Sequence, residues 1–185
     1  ETTLGRLCSN VWLARDDSKK AKEELDRVSW KAPDESFQVQ HLFQLWARCD
    51  LALYQGRAEE SLKELNPLFK RSKWALLRAL QVVRTLLLYI KGKTLIASCE
   101  HQELSSNVRK KRIGECLKIA RRLEKQKTRL SIVYSSLLYP AVMIQKGQKK
   151  EALSLLRKAV SLAEEHDMTL CLASARRRLG ELVGG

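Results

Sequence analysis

Proline and glycine are scarce, three and eight in 185 residues. A β-sandwich or barrel turns about every ten residues and would need many more of them, so those folds are excluded. Long apolar runs are missing as well. The longest uncharged stretch, Leu130 to Gln145, covers about 16 residues and is interrupted by Ser131, Ser135, Ser136 and Pro140. A bilayer span needs roughly 20 apolar residues, so this stretch reads as a buried helix, and no membrane span is expected. The chain opens Glu-Thr-Thr without an initiator methionine or a signal peptide, and is expected to be a fragment of a longer protein. Its five cysteines (Cys8, Cys49, Cys99, Cys116, Cys171) are odd in number and scattered, and none forms a C-x-x-C pair. A disulfide framework favours an even count and tighter spacing. Small buried hydrophobes in a reducing cytoplasm are the expected role.

Signatures of catalysis are equally missing. There is no G-x-S-x-G, H-E-x-x-H, Walker loop or dinucleotide fingerprint. No glycine-rich loop, H-R-D or D-F-G marks a kinase domain. His41, His101 and His166 are single and far apart, so no metal site is expected, and no cofactor. Acidic pairs such as Glu23/Glu24 and Glu59/Glu60 fall in first helical turns, where they favour the positive end of the helix dipole. The chain itself is read as non-catalytic.

What is present is helical periodicity. Leu42, Leu45, Trp46, Cys49, Ala52 and Leu53 recur three and four apart. The same spacing returns at Ala58, Ser61, Leu62, Leu65, Leu68 and Phe69, and again at Ala152, Leu155, Leu156, Ala159, Leu162 and Ala163. No strand could bury such stripes, because its side chains alternate with period two. Pro33 to Ser36 breaks the pattern, and Gly56 and Gly147 each fit a helix C-terminus. Ser72, Asn107 and Asp167 are expected N-caps. About nine helices are predicted: 3–14, 17–29, 36–55, 57–70, 73–91 with an extension, 107–127, 129–145, 148–166 and 168–183.

A weak repeat relates these helices. Counting from a turn residue, positions 5, 9 and 12 further on are small, bulky and apolar. From Asp16 they are Ala21, Leu25 and Val28; from Gly56, Ser61, Leu65 and Leu68; from Gly147, Ala152, Leu156 and Ala159. A small residue lets the second helix approach the first, and the bulky one fills the groove between neighbouring pairs. Hairpins of this kind bury their faces only by stacking. Gly92, taken as the next turn, fits poorly with Ala97, His101 and Leu104. From it to Gly147 is 55 residues, against 40 and 36 for the earlier turns, so the third unit is expected to be irregular.

These turn and hairpin positions resemble the degenerate tetratricopeptide repeat. The resemblance implies an all-α fold of stacked antiparallel hairpins, a tetratricopeptide-like α-solenoid forming a single domain over 1–185. The C-terminal third carries a second likeness. Its segments are Arg112 to Glu124 (Arg-Ile-Gly-Glu-Cys-Leu-Lys-Ile-Ala-Arg-Arg-Leu-Glu), Lys146 to Ala159 (Lys-Gly-Gln-Lys-Lys-Glu-Ala-Leu-Ser-Leu-Leu-Arg-Lys-Ala), and Asp167 to Gly185 with its A-R-R-R-L-G-E-L core. Over residues 107–185 the chain is similar to the tail of large bacterial serine/threonine protein kinases, where a helical repeat region follows the kinase domain. That implies a regulatory, protein-binding role in the cytoplasm for this part, with any kinase activity residing in another part of the parent protein. The alternative parent is a bacterial transcriptional activator with a DNA-binding domain in the kinase's place.

Two candidate surfaces follow. Between Arg109 and Arg129 lie ten basic residues and two acids, a net +8 of the chain's +14. Lys111, Lys118, Arg122, Lys125 and Arg129 fall at helical spacing as a cationic stripe, opposite Ile113, Cys116, Leu117, Ala120 and Leu123. Nucleic acid, an anionic membrane surface or an acidic neighbouring domain are the partners such a stripe could meet. No aromatic side chain lies within it to stack bases, so nucleic acid is the lesser alternative, and a solvated helix face is the ordinary one. The second surface comes from the tetratricopeptide resemblance, which places first helices of each pair on a concave groove. It assigns Phe43, Trp46, Asp50 and Leu53 to that groove, then Val82, Leu86 and Tyr89, then Tyr134, Leu137 and Ala141. Such a groove suits a hydrophobic peptide, a helix, or another domain of the same chain; ordinary inter-helix core is the competing role. Trp12, Trp30 and Trp74 are read as packing.

Overall fold

A computed structural model describes residues 9–27, 39–70, 80–100 and 104–184. Among these the backbone forms nine helical segments and no strand. They are α1 (9–14), α2 (Ser18–Arg27), α3 (Val39–Tyr54), α4 (Ala58–Lys70), α5 (Gln81–Ser98), α6 (Ser106–Glu124), α7 (Arg129–Gln145), α8 (Lys149–Glu165) and α9 (Thr169–Val183). The protein is all-α, and at five places among the described residues a short turn joins one helix to the next. Residues 3–8, 28–38 and 71–79 of the expected helices and loops, with Trp30, Ser72 and Trp74, lie outside the described residues, as do Cys8 and His101.

One turn geometry recurs. Asp16, Gly56, Lys127, Gly147 and Asp167 all take the left-handed conformation, with φ of 62°, 71°, 53°, 75° and 55°. Each N–H donates to the carbonyl three residues back, for example Gly147 to Ile144 at 2.9 Å and Asp167 to Glu164 at 3.1 Å. At four of the turns the following N–H also reaches back five residues: Asp17 to Trp12, Arg57 to Ala52, Gln148 to Met143 and Met168 to Ala163. This pair of bonds is the Schellman motif, which satisfies carbonyls that the ended helix leaves open. At the fifth turn the Thr128 N–H donates to Ser131 Oγ instead, and the Ser131 N–H returns to Thr128 Oγ1 at 3.2 Å. That capping box starts α7 at once.

These turns correct two expected caps. Asp167 closes α8 in the left-handed conformation and is not an N-cap; Met168 holds that position without a side-chain bond. Asn107 lies inside α6, and Ser105 caps that helix by accepting from the Val108 N–H. Asp17 caps α2, accepting from the Lys20 N–H at 2.9 Å.

The chain divides into two compact units, Glu1–Ile90 and Lys91–Gly185. In the first, α2 packs on α3 and α3 on α4. Ala21, Leu42, Leu45, Cys49, Leu62 and Leu65 are buried there. The Tyr54 hydroxyl at the end of α3 donates to the Asp16 carboxylate in the first turn.

In the second unit α7 is central. It packs between α6 and α8 and also touches α9, and α9 packs on α8. Val133, Ser135, Leu138, Pro140 and Val142 are buried on it, so its burial extends well beyond a single stripe. Gly92 is not a turn. It lies within α5, and an added Cβ would stand 2.6 Å from Leu138 Cδ1 and 3.3 Å from Ile119 Cγ2. The glycine is there so that α5 can meet α6 and α7 closely, and the helix runs on to Ser98. The Cys116 thiol lies 3.6 Å from the Gly92 carbonyl and Lys91 pairs with Glu115 at 2.5 Å, both on this contact.

Candidate functional site

The cationic segment is cut by the Lys127 turn. α6 ends at Glu124, Lys125 caps it and Arg129 opens α7, so Lys111, Lys118 and Arg122 alone share one helix. A single basic helix over 109–129 is therefore not what forms. All five stripe residues are exposed. Ile113, Cys116, Ala120 and Leu123 are buried opposite, with Ile119 joining them and Leu117 only half-buried. Arg121, Arg122 and Lys125 sit where the negative end of the α6 dipole favours cations, which accounts for part of the cluster. The excess is wider than α6. Residues 91–185 hold twenty Lys and Arg and nine Asp and Glu, a net +11 of the chain's +14.

The expected concave residues are placed variously. In the first unit Phe43, Asp50 and Leu53 are half-buried on α3, and Trp46 between them is core at 6% exposure. Val82 on α5 is exposed, while Leu86 and Tyr89 are half-buried. In the second unit Tyr134 is core at 7% exposure, beside half-buried Leu137 and Ala141. Trp46 and Tyr134 are thus buried, with little of either ring left exposed to a ligand.

The second unit has an open groove elsewhere, about 630 Å³ in volume, floored by α7 and walled by α6 and α8. Its origin is a matter of helix direction. α6 and α8 both run antiparallel to α7, so they run parallel to each other and present opposite shoulders to the gap. On α8 the core stripe is Ala152, Leu156, Ala159 and Ala163, and the groove takes the residue before each: Glu151, Leu155, Lys158 and Leu162. On α6 the core residues are Cys116, Ala120 and Leu123, and the groove takes the residue after each: Leu117, Arg121 and Glu124. α7 contributes Ile132, Ser135, Ser136, Tyr139 and Met143, again three and four apart.

The groove is apolar below and charged at the rim. Ser135 and Ser136 turn their hydroxyls back onto the Ile132 and Val133 carbonyls, which removes them as donors to a ligand. The Tyr139 hydroxyl donates to Glu124 Oε2 at 2.7 Å. Burial, then this bond and the Glu124 charge, push the phenol up to about 12, with Arg121 opposing. Among the described residues Arg121, Lys146 and Lys158 make no ion pair, and neither does Glu151.

Among the described residues no three His, Cys, Asp or Glu side chains gather as a metal site. Cys49, Cys99, Cys116 and Cys171 are free and buried. Burial, then neighbouring Cys99 and Glu115, push the Cys116 thiol up to about 12, the opposite of what a nucleophile needs. No described helix is long and apolar enough to cross a membrane. The arrangement is that of an open groove on an all-helical hairpin fold. No protein-family model, curated protein or solved structure matches the chain.

Proposed function

We propose that this chain is a non-catalytic protein-interaction module of the tetratricopeptide-like kind, whose stacked hairpins offer a preformed groove to a protein segment. The observation that carries this is the α6–α7–α8 groove, with its apolar floor and cationic rim. Supporting it, the small residues five places after three turns, Ala21, Ser61 and Ala152, are all buried, as close hairpin packing requires. A preformed site of this kind binds by shape, since its helices need not order on contact. The module is further read as the cytoplasmic regulatory region of a bacterial serine/threonine kinase, on the likeness of residues 107–185. Four buried free thiols agree with a reducing compartment.

Selection of a displayed peptide library on the immobilised chain tests the binding reading. Enrichment of a shared motif with micromolar affinity is expected, and failure to enrich above the bare support would sink it. The reading frame upstream of Glu1 tests the parent: H-R-D and D-F-G motifs are expected, and a helix-turn-helix domain would replace the kinase with a transcriptional activator.

A further inference from the structure

We infer that the α6–α7–α8 groove takes an acidic amphipathic helix of a partner protein, laid along α7 with its apolar face down. This deepens the proposed function and rests on it. The length of the groove suits such a ligand. Its residues run from Ile132 to Met143 on α7 and from Glu151 to Leu162 on α8, each about 16 Å of helix axis, or roughly three turns. A ligand helix would therefore seat side chains at i, i+3 or i+4, and i+7 over Leu117, Ile132, Met143, Leu155 and Leu162.

Backbone hydrogen bonding favours a helix over an extended peptide. Walls made of helices offer almost no free amide or carbonyl, because each helix has satisfied its own. Pro140 has no N–H to give the Ser136 carbonyl its usual i+4 bond, the one exception that proline makes in α7. An extended segment would bury unpaired backbone groups along three turns' length, whereas a helix brings its own bonds.

Charge fixes the sign of the ligand's flanks. Arg121, Lys146 and Lys158 stand at the rim without an ion pair among the described residues, and the Glu124 carboxylate is already taken by Tyr139. Among the described residues Glu151 is the only other acid lining the groove. Beyond the rim Arg122, Lys125, Lys149 and Lys150 are exposed and extend the positive field. Nucleic acid is the poorer occupant. Phosphates have no use for a floor of leucine, isoleucine and methionine. The one aromatic ring among the described lining residues, Tyr139, is half-buried with its hydroxyl engaged.

The test uses a labelled helix-forming peptide of about sixteen residues, leucines at helical spacing and glutamates on both flanks. Its controls are a permuted peptide of identical composition and a version with lysine for every glutamate. Anisotropy titrations against the full chain at about 150 mM salt suppress long-range attraction. The amphipathic acidic peptide is expected to bind about tenfold more tightly than the permuted one. Arg121→Glu with Lys158→Glu, both exposed, is expected to lose about tenfold for it and to favour the lysine peptide. The chain has two methionines, and with labelled methyl groups Met143 should shift on binding while Met168 stays still. That readout is independent of the variant's folding.

Equal binding of the permuted peptide would overturn the inference, leaving bulk charge as the cause. So would a stationary Met143 methyl, or displacement of the peptide by an oligonucleotide. A library-selected peptide that still binds the double variant would sink the groove assignment and leave the interaction module standing. Should no peptide of any design bind, the module reading falls too.

Discussion

Individual side chains show how the same position is solved well or badly along the chain. Ala21, Ser61 and Ala152 occupy equivalent sites, each fully enclosed. Ser61 alone brings a hydroxyl there, and its Oγ has no hydrogen-bond partner among the described residues. An unpaired buried hydroxyl costs on the order of 1 kcal/mol, so Ser61→Ala is expected to stabilise the protein by about that much in urea unfolding. No gain, or a loss, would mean that the hydroxyl is satisfied in solution. The Cys116 thiol behaves differently in folded and unfolded chains. Its folded-state value is raised from 9.0 to about 12, chiefly by burial. A raised value means that the folded form holds the proton more tightly. The contribution is complete below 9.0 and disappears as pH climbs towards 12, so stability should fall over that interval. Iodoacetamide at a pH near the ordinary thiol value of about 8.5 should leave Cys116 unmodified in native protein and label it in denaturant, as read by mass spectrometry. Ready labelling of native protein would contradict the burial.

Within the helices, two glycines stand in opposite surroundings. Gly92 is pressed by Leu138 and Ile119, whereas Gly114 in α6 has open space where a Cβ would go. Alanine favours a helix interior over glycine by up to about 1 kcal/mol. Gly114→Ala should therefore raise stability by roughly 0.5–1 kcal/mol. At Gly92 the same gain meets an overpacking cost of about 1–3 kcal/mol, and a net loss near 1 kcal/mol is expected. If calorimetry finds both substitutions stabilising, α5 is not as close to α7 as described. These two positions also explain which elements were legible beforehand. Apolar spacing located the helices, because burial on a cylinder forces that period. Gly92 reads as a break by composition alone; its purpose is a contact with Ile119 and Leu138, far along the chain, which no local pattern reveals. The turn between the helices predicted at 107–127 and 129–145 can be read from the spacing, but not the residue that makes it, since lysine does not advertise a left-handed backbone. The groove was half-legible: Leu155 and Leu162 widen the α8 stripe beyond its core residues. That this surplus meets a matching shoulder of α6 depends on two helices being parallel across a third, a fact of tertiary direction.

Across the whole molecule the governing feature is positive charge. Most of the +14 is concentrated in residues 91–185. Like charges at this density repel one another in the compact state and separate on unfolding. Added salt screens that repulsion, so raising sodium chloride from about 20 to 300 mM should increase Tm by a few degrees, about 1 kcal/mol. A flat or falling Tm would mean that surface pairs such as Arg177 with Glu181 and Lys22 with Asp26 outweigh the net field. The recurring turn has a consequence of a different sort. Each is closed by bonds among residues no more than five apart, so a bend needs nothing made later in order to form. During synthesis, bends can set in order as the peptide leaves the ribosome, while each pair of coils still needs its neighbour to cover its remaining grease.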